Sequence, residues 1–393
     1  MNFELTKINP ETCTLEELNN EIIRLTALKE EYFNLEQSIK IFINSIYGGL
    51  GSPWYECYNV SLAEAVTLQG QDMIKFANKI LDDYFLNMWH LDKSLHKALG
   101  ITFANKIQEK TVVIYNDTDS TYVTLKPVID SCDYKGDRID FILKLKNLRL
   151  NNYITQKFDE YAKKFNTKNL QELELEKISY SSLMVAKKKY ILDLAWKDTG
   201  GGSGIRIKPQ EKIMPVGVEV VQGSTPIFSR KTLKAMLNTL FEKGKNLEYS
   251  SVVKLLKEYK QQFVLQDPND ISKTQAIGDY EKYALEDRRE IVLAPKCPMN
   301  VRSSAVYNHK LMNSKWKTKY NLIHTGDKIK YYYAKSDEQV FGFLPGNYPY
   351  EFAPEVDYDK QFEKVIIEPF NRFMISAGFN PIPGNLIYAR SLF

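Results

Sequence analysis

The chain has 393 residues, 44% of them apolar, with 25 tyrosines and 20 phenylalanines, enough for two or three packed domains. Its 53 basic and 49 acidic side chains leave a net charge of +4 and a pI near 8.5, so bulk charge does not by itself mark a nucleic-acid binder. Cys13, Cys57, Cys132 and Cys297 form no C-x-x-C pair, and no leader pattern or run of 18 apolar residues is present. These features argue against a zinc site, a disulfide framework and a membrane span, and for a reducing, cytoplasmic setting.

Residues 1–13 read as a polar lead-in. Thr14 with Glu17 forms a capping-box pattern, and Leu18, Ile22, Leu25, Leu28, Tyr32, Leu35, Ile39 and Phe42 recur at helical spacing. The pattern predicts one long helix, or two end to end, reaching about Tyr47, with Gly48, Gly49, Gly51 and Pro53 stopping it. Lys40, Asn44 and Tyr47 fall at i, i+4 and i+7, one face of that helix. An ammonium and an amide one turn apart can grip triphosphate oxygens, and a tyrosine beside them can wall a base pair. As ordinary surface residues of a helix they would need no such explanation. Residues 59–87 give a second helical pattern with nothing chemical on it.

Residues 111–125 (TVVIYNDTDSTYVTL) join an apolar run to a polar tip at 116–120 and then to a second β-prone run, which predicts a short β-hairpin. On an extended backbone Asp117 and Asp119 would project to the same side. Two neighbouring carboxylates repel and favour a nearby cation. Divalent magnesium suits such hard oxygens and leaves room for substrate phosphates. An Asx-type turn whose aspartates only cap backbone is the commoner arrangement, and the hairpin alone favours it over a metal site.

Residues 138–165 predict an amphipathic helix. Residues 172–181 and 183–194 alternate apolar and polar, which predicts paired antiparallel strands. Lys187, Lys188, Lys189 and Tyr190 lie in the second of these. Strand neighbours would hold the three charges in place for phosphate contacts, although a lysine run is commonly a solvated face. Residues 200–204 (GGGSG) form a flexible tip. Further helices are expected at 229–243, 250–263 and 359–377. The basic, aromatic-rich stretch 301–330 would suit a nucleic-acid backbone, or simply face solvent. The chain closes on 386–393 (LIYARSLF), whose apolar end calls for a partner surface or an internal pocket.

Three of these stretches together resemble the signatures of family B DNA polymerases. Residues 40–48 (KIFINSIYG) have the fingers-helix pattern K-x3-N-S-x-Y-G, and residues 115–120 (YNDTDS) resemble the palm motif Y-G-D-T-D-S. Residues 187–190 (KKKY) resemble the K-K-R-Y element near the primer terminus, and the three occur in the family's order. Gly217, Glu219, Ser224, Thr225 and Pro226 match the G-x-E…S-T-P of the palm-to-thumb join. From about residue 16 onward the chain is similar to the C-terminal part of T4-like phage replicative polymerases. Asn116 stands where the family has glycine; because asparagine tolerates positive φ, the turn is expected to survive.

The resemblance implies an α+β fold that forms an incomplete polymerase right hand. Its parts are a second fingers helix (1–50), an antiparallel-sheet palm with flanking helices (51–224) and a mostly helical thumb (225–393). It implies template-directed transfer from dNTPs to a primer 3′-hydroxyl with two Mg²⁺ ions, for which Mn²⁺ can substitute. Asp117 and Asp119 are the implied metal ligands, Asp119 the more direct, and Lys40 shares the catalytic role. Lys40, Asn44, Tyr47 and Gly48 are the implied dNTP contacts. Thr118, Ser120, Lys187, Lys188, Lys189, Tyr190 and Lys212 are the implied contacts to primer–template DNA, and Ser391, Leu392 and Phe393 those to a sliding clamp. The family's D-x-x-S-L-Y-P aspartate, its arginine-bearing first fingers helix and its exonuclease domain have no counterpart in these 393 residues, and Met1 falls near the fingers tip. The expected protein is therefore the C-terminal subunit of a split polymerase in the cytoplasm of a phage-infected bacterium, completed by an N-terminal subunit. The alternative is a non-catalytic DNA- or clamp-binding module.

Overall fold

The capping box of Thr14 and Glu17 starts a 36-residue helix, α1 (Leu15–Leu50), in the computed structural model of the chain. The Glu17 N–H donates to Thr14 Oγ1 at 3.3 Å, and the Thr14 N–H donates back to Glu17 Oε2 at 2.8 Å. The structure describes residues 8–9, 11–200, 203–208, 212–285 and 289–388. They form two units, Met1–Leu173 and Glu174–Phe393, each with its own apolar core. Helix and antiparallel sheet are mixed throughout, as an α+β reading requires.

In the first unit, α1 is one helix, and it runs through Gly48 and Gly49 to a C-cap at Gly51. Its last residue, Leu50, lies three beyond Tyr47, and Gly51 is one of the residues expected to end it. Two glycines cost about 1 kcal/mol each in a helix, too little to end one this long. Gly49 serves packing instead, since a Cβ there would lie 2.6 Å from the Tyr55 ring. Helix α2 (Val60–Asp83) starts at Asn59, whose side chain accepts the Leu62 N–H, and continues as a π turn at Tyr84–Met88. After α3 (Lys93–Leu99) come the hairpin strands β1 (Val113–Asp117) and β2 (Ser120–Val123). Helices α4 (Lys126–Asp130), α5 (Arg138–Leu145) and α6 (Asn151–Lys163) follow, with a π turn at Lys146–Leu150 joining the last two.

Trp89 is fully enclosed in this core, its ring edge-on to Phe141, with Nε1 donating to Ser131 Oγ at 3.0 Å. Replacing Trp89 with phenylalanine keeps most of the packing but loses that bond. A loss of about 1–2 kcal/mol is expected, read as a lowered urea midpoint. Nearby, Asp92 accepts from Arg149 Nη2 at 2.7 Å, from Tyr84 Oη at 3.0 Å and from the Leu95 N–H at 3.2 Å. Burial pushes the Asp92 pKa up, but these donors together hold it below the ordinary carboxylate value. A depressed folded-state pKa means that the stabilisation is present above the unfolded value and is lost as pH falls through the folded one.

The second unit opens with β3 (Lys177–Ala186) and β4 (Lys189–Gly200), then β5 (Ser203–Arg206) and β6 (Ile213–Val216), both paired antiparallel to β4. The expected strand at 172–181 begins only at Lys177. The β1–β2 hairpin is a separate two-stranded sheet rather than part of this one. Its short strands close on each other through a two-residue turn and pack on α2.

Helices α7 (Ile227–Lys243), α8 (Tyr249–Phe263) and α9 (Pro268–Ile271) precede strand β7 (Lys273–Ala276), helix α10 (Tyr280–Tyr283) and strands β8 (Ala284–Leu285) and β9 (Val292–Leu293). Helix α11 (Met299–Met312), strands β10 (Lys328–Tyr333) and β11 (Val340–Phe343), and helices α12 (Tyr358–Phe362), α13 (Glu368–Ser376) and α14 (Asn385–Tyr388) complete the unit. The region after 225 is less helical than expected, because β7, β10 and β11 form a three-stranded antiparallel sheet. The aromatic residues of 301–330 are also placed differently from the surface reading. Tyr307 and Tyr320 are buried, and the Tyr307 hydroxyl donates to Asn321 O at 2.9 Å. Burying a tyrosine body while satisfying its hydroxyl is a core role. Ser391, Leu392 and Phe393 lie outside the described residues. Among the described residues no helix is long and apolar enough to cross a membrane.

Candidate active site

The hairpin is closed by a turn of two residues, Thr118 and Asp119, because Asp117 pairs with Ser120. Thr118 has φ 58°, so the left-handed backbone lies there and not at Asn116, which sits in β1 opposite Thr121. The expectation that Asn116 must tolerate positive φ is corrected accordingly. A β-branched residue in that region is a true outlier costing on the order of 1–3 kcal/mol, strain of the kind that gathers at functional sites. The Asp119 N–H donates to Asp117 O at 2.7 Å, and Ser120 Oγ donates to the same carbonyl at 3.1 Å. Strand alternation therefore does not relate the two aspartates. Asp117 ends a strand and Asp119 stands exposed on the turn.

Helix α2 holds this hairpin from below. Thr121 Oγ1 donates to Asn78 Oδ1 at 3.1 Å, while Asp82 accepts the Val112 N–H at 2.7 Å and the Thr111 hydroxyl at 2.8 Å. The same helix meets the end of α1, where the hydroxyls of Tyr47 and Thr67 lie 2.7 Å apart. Lys40 and Asn44 are exposed on α1, and Gly48 is open, since a Cβ there would meet nothing within 4 Å. One helix thus braces both the hairpin whose tip carries the aspartates and the tyrosine end of α1. Asn78, Asp82 and Thr67 were not legible as site residues, because α2 shows only core periodicity.

In the second unit Lys187 and Lys188 form the turn between β3 and β4, with Lys188 at φ 61°, rather than lying within a strand. Their side chains are exposed, whereas Tyr190 is buried, paired across the sheet with Met184 and Val216. Gly217, at φ 66°, passes under this turn so closely that a Cβ would lie 2.0 Å from Lys188 O. Beside it Glu219 accepts from Arg372 Nη2 at 2.6 Å and lies 3.7 Å from Lys189 Nζ. Lys212 Nζ is 3.1 Å from Asp193 Oδ1, a carboxylate whose side chain is only 6% exposed.

A sequence profile of DNA polymerase family B matches residues 24–369. The chain belongs to DNA polymerase family B. It is 25% identical over 305 residues to the DNA-directed DNA polymerase of Escherichia phage RB69, covering 74% of this chain and 30% of that protein. It is likewise 25% identical over 282 residues to the DNA-directed DNA polymerase of Enterobacteria phage T4, covering 68% and 28%. With the DNA polymerase catalytic subunit of Psittacid herpesvirus 1 it shares 28% over 225 residues, covering 56% and 17%. The chain therefore spans less than a third of the length of these relatives.

Within this family B chain, Asp117 and Asp119 offer the hard oxygens a divalent metal prefers. Among the described residues no group of three or more His, Cys, Asp or Glu side chains is gathered for a metal. The donor type fits magnesium, and the donor number is short of a complete site. Lys212 is engaged by the sheet itself. Lys212→Met should leave the buried Asp193 carboxylate with only the Ser181 hydroxyl, at 3.4 Å, and cost about 1–3 kcal/mol, which a thermal melt without DNA would register.

Proposed function

We propose that this chain supplies the nucleotide-gripping helix and two of the catalytic carboxylates for template-directed DNA synthesis. In this reading residues 1–50 are the second half of the fingers, 51–224 the C-terminal part of the palm and 225–393 the thumb. One observation carries the proposal. The hairpin that carries the strained Asp117–Thr118–Asp119 turn is hydrogen-bonded to α2 through Thr121, Thr111 and Val112, and the Tyr47 end of α1 is hydrogen-bonded to the same helix.

Asp117 and Asp119 would hold Mg²⁺, or Mn²⁺ in its place, through their carboxylate oxygens. A divalent ion there would neutralise phosphate charge and favour ionisation of the primer 3′-hydroxyl. A two-ion site needs carboxylates on both sides. The remaining one is assigned to the D-x-x-S-L-Y-P aspartate of an N-terminal polymerase segment outside these residues, in the split arrangement a second subunit. Lys40 sets a fixed positive charge against the triphosphate and can supply a proton to the leaving pyrophosphate. Asn44 adds donors one turn further along, and open Gly48 lets the nucleotide approach the helix backbone. Tyr47, with its hydroxyl fixed by Thr67, presents its ring to the new base pair. Thr118 and Ser120 flank the primer end, and the exposed Lys187–Lys188 turn with Lys189 meets phosphates, which position DNA without reading it. Catalysis is then mostly positioning and electrostatics. The tail residues Ser391, Leu392 and Phe393 are assigned to a sliding clamp.

Primer extension with Mg²⁺ and four dNTPs tests this, using the chain alone and the chain mixed with a polypeptide carrying D-x-x-S-L-Y-P. Activity in the mixture only is expected. Activity of the chain alone would refute the shared metal site. Silence in both tubes with duplex binding intact would instead make the chain a DNA- or clamp-binding module.

A further inference from the structure

A cavity of about 260 Å³ lies in the second unit at the start of α7, lined in part by Thr225, Pro226, Arg230, Thr274, Lys328 and Lys330. Strand alternation builds most of it. Lys328 and Lys330 are two apart on β10, so both leave the same sheet face. Lys330 sits opposite Thr274 in the β7–β10 pair, which puts that threonine on the same face. Ile329 and Tyr331 take the other face into the core. The Thr274 N–H donates to Ser224 O at 3.0 Å, tying the loop before α7 to this strand. Arg230, whose N–H closes the first turn of α7 onto Pro226 O at 2.9 Å, completes the wall.

Two observations suit the cavity to a ligand. The first is charge. Arg230, Lys328 and Lys330 bring three positive charges to a cavity that no carboxylate lines. Among the described residues neither Arg230 nor Lys328 has an ion-pair partner, and Lys330 bonds only the Asn269 carbonyl, at 2.6 Å. Like charges held together favour a bound anion. The second is an unspent hydroxyl. Thr225 is only 8% exposed and lines the cavity, yet its side chain makes no hydrogen bond among the described residues. That hydroxyl is not sealed from solvent, so it remains available to a ligand. The start of α7 adds to both, since Pro226 caps it without a side-chain oxygen and leaves its first N–H groups unspent.

We propose that this cavity seats one phosphodiester group of the bound duplex, an anchor indifferent to sequence. The inference rests on the reading of the chain as part of a DNA polymerase. A phosphate offers acceptors for the arginine fork, two ammonium groups and the threonine hydroxyl at once. No aromatic ring lines the cavity, so a free nucleotide would find nothing on which to stack its base.

The test is fluorescence anisotropy of the full chain with a labelled primer–template duplex between about 50 and 200 mM salt. R230Q/K328Q should bind duplexes of every sequence more weakly, with the slope of log K against log salt shallower by about 1. The charge-keeping R230K/K328R should restore the slope. Should the double variant misfold, Lys328→Gln alone, at an exposed position, reads the same sign of change. An unchanged slope in R230Q/K328Q overturns the proposal while leaving the polymerase reading standing. A wild-type chain that binds no duplex overturns both. Calorimetry with dATP and with inorganic pyrophosphate separates the other source of phosphate. Binding of either that is lost in R230Q/K328Q, with duplex affinity unchanged, would assign the cavity to a free nucleotide and overturn the proposal.

Discussion

Under the proposed two-part arrangement, Asp119→Ala is expected to abolish primer extension, a loss of about three orders of magnitude or more, the scale of removing charge stabilisation at a transition state. Asp119 stands on the turn, its side chain is not used by the hairpin, and the turn is closed by the Asp119 N–H and the Ser120 hydroxyl, both donating to Asp117 O. Removing the carboxylate should therefore spare the fold and duplex binding. Single-turnover extension against Mg²⁺ concentration is the informative measurement. The wild type should be silenced by chelation and restored by Mg²⁺ or Mn²⁺, whereas Asp119→Ala should not recover at any concentration. Extension by the variant within tenfold of wild type would remove Asp119 from the metal site.

Gly217→Ala should be the most damaging single methyl in the second unit. The glycine has φ 66°, which costs an L-residue about 1–2 kcal/mol. The new Cβ would also lie 2.0 Å from Lys188 O, a backbone atom that cannot swing aside as a side chain would. Relief requires moving the Lys187–Lys188 turn or the 217–222 segment, whose Glu219 is bonded to Arg372. We expect a loss of about 3–5 kcal/mol, in the range reserved for backbone strain and severe overpacking. Urea unfolding and duplex affinity should fall together. A variant with normal stability but weakened DNA binding would show that the turn had shifted and the fold had absorbed it.

Much of the candidate site was legible because its signals are local. The spacing of Lys40, Asn44 and Tyr47 fixes their face once the helix period is read, and a run of β-branched and aromatic residues around an aspartate turn announces a hairpin. The inner details were not legible. Five polar residues at 116–120 left the turn register open, and only the Asp117–Ser120 pairing put the strain on Thr118 instead of Asn116. Lysines carry no turn propensity, so nothing in KKKY showed that Lys187 and Lys188 leave the ladder. Gly217 matters through contact with a residue 29 positions earlier in the chain, information absent from any window of sequence. The interleaved aromatics of 301–330 look the same whether they face water or core, and burial alone separates the two.

Helix α1 also offers a clock for assembly. It is about 54 Å long at 1.5 Å per residue, yet only Glu21 and Gly49 of its 36 residues are buried. Packing normally supplies most of a helix's stability. Backbone amides across its middle turns should therefore exchange with deuterium fast in the isolated chain, while those beneath Trp89 and Phe141 resist. Any polypeptide or nucleic acid that comes to rest on α1 would slow that exchange, so deuterium uptake between residues 20 and 46 would report such an encounter directly, without waiting for a turnover.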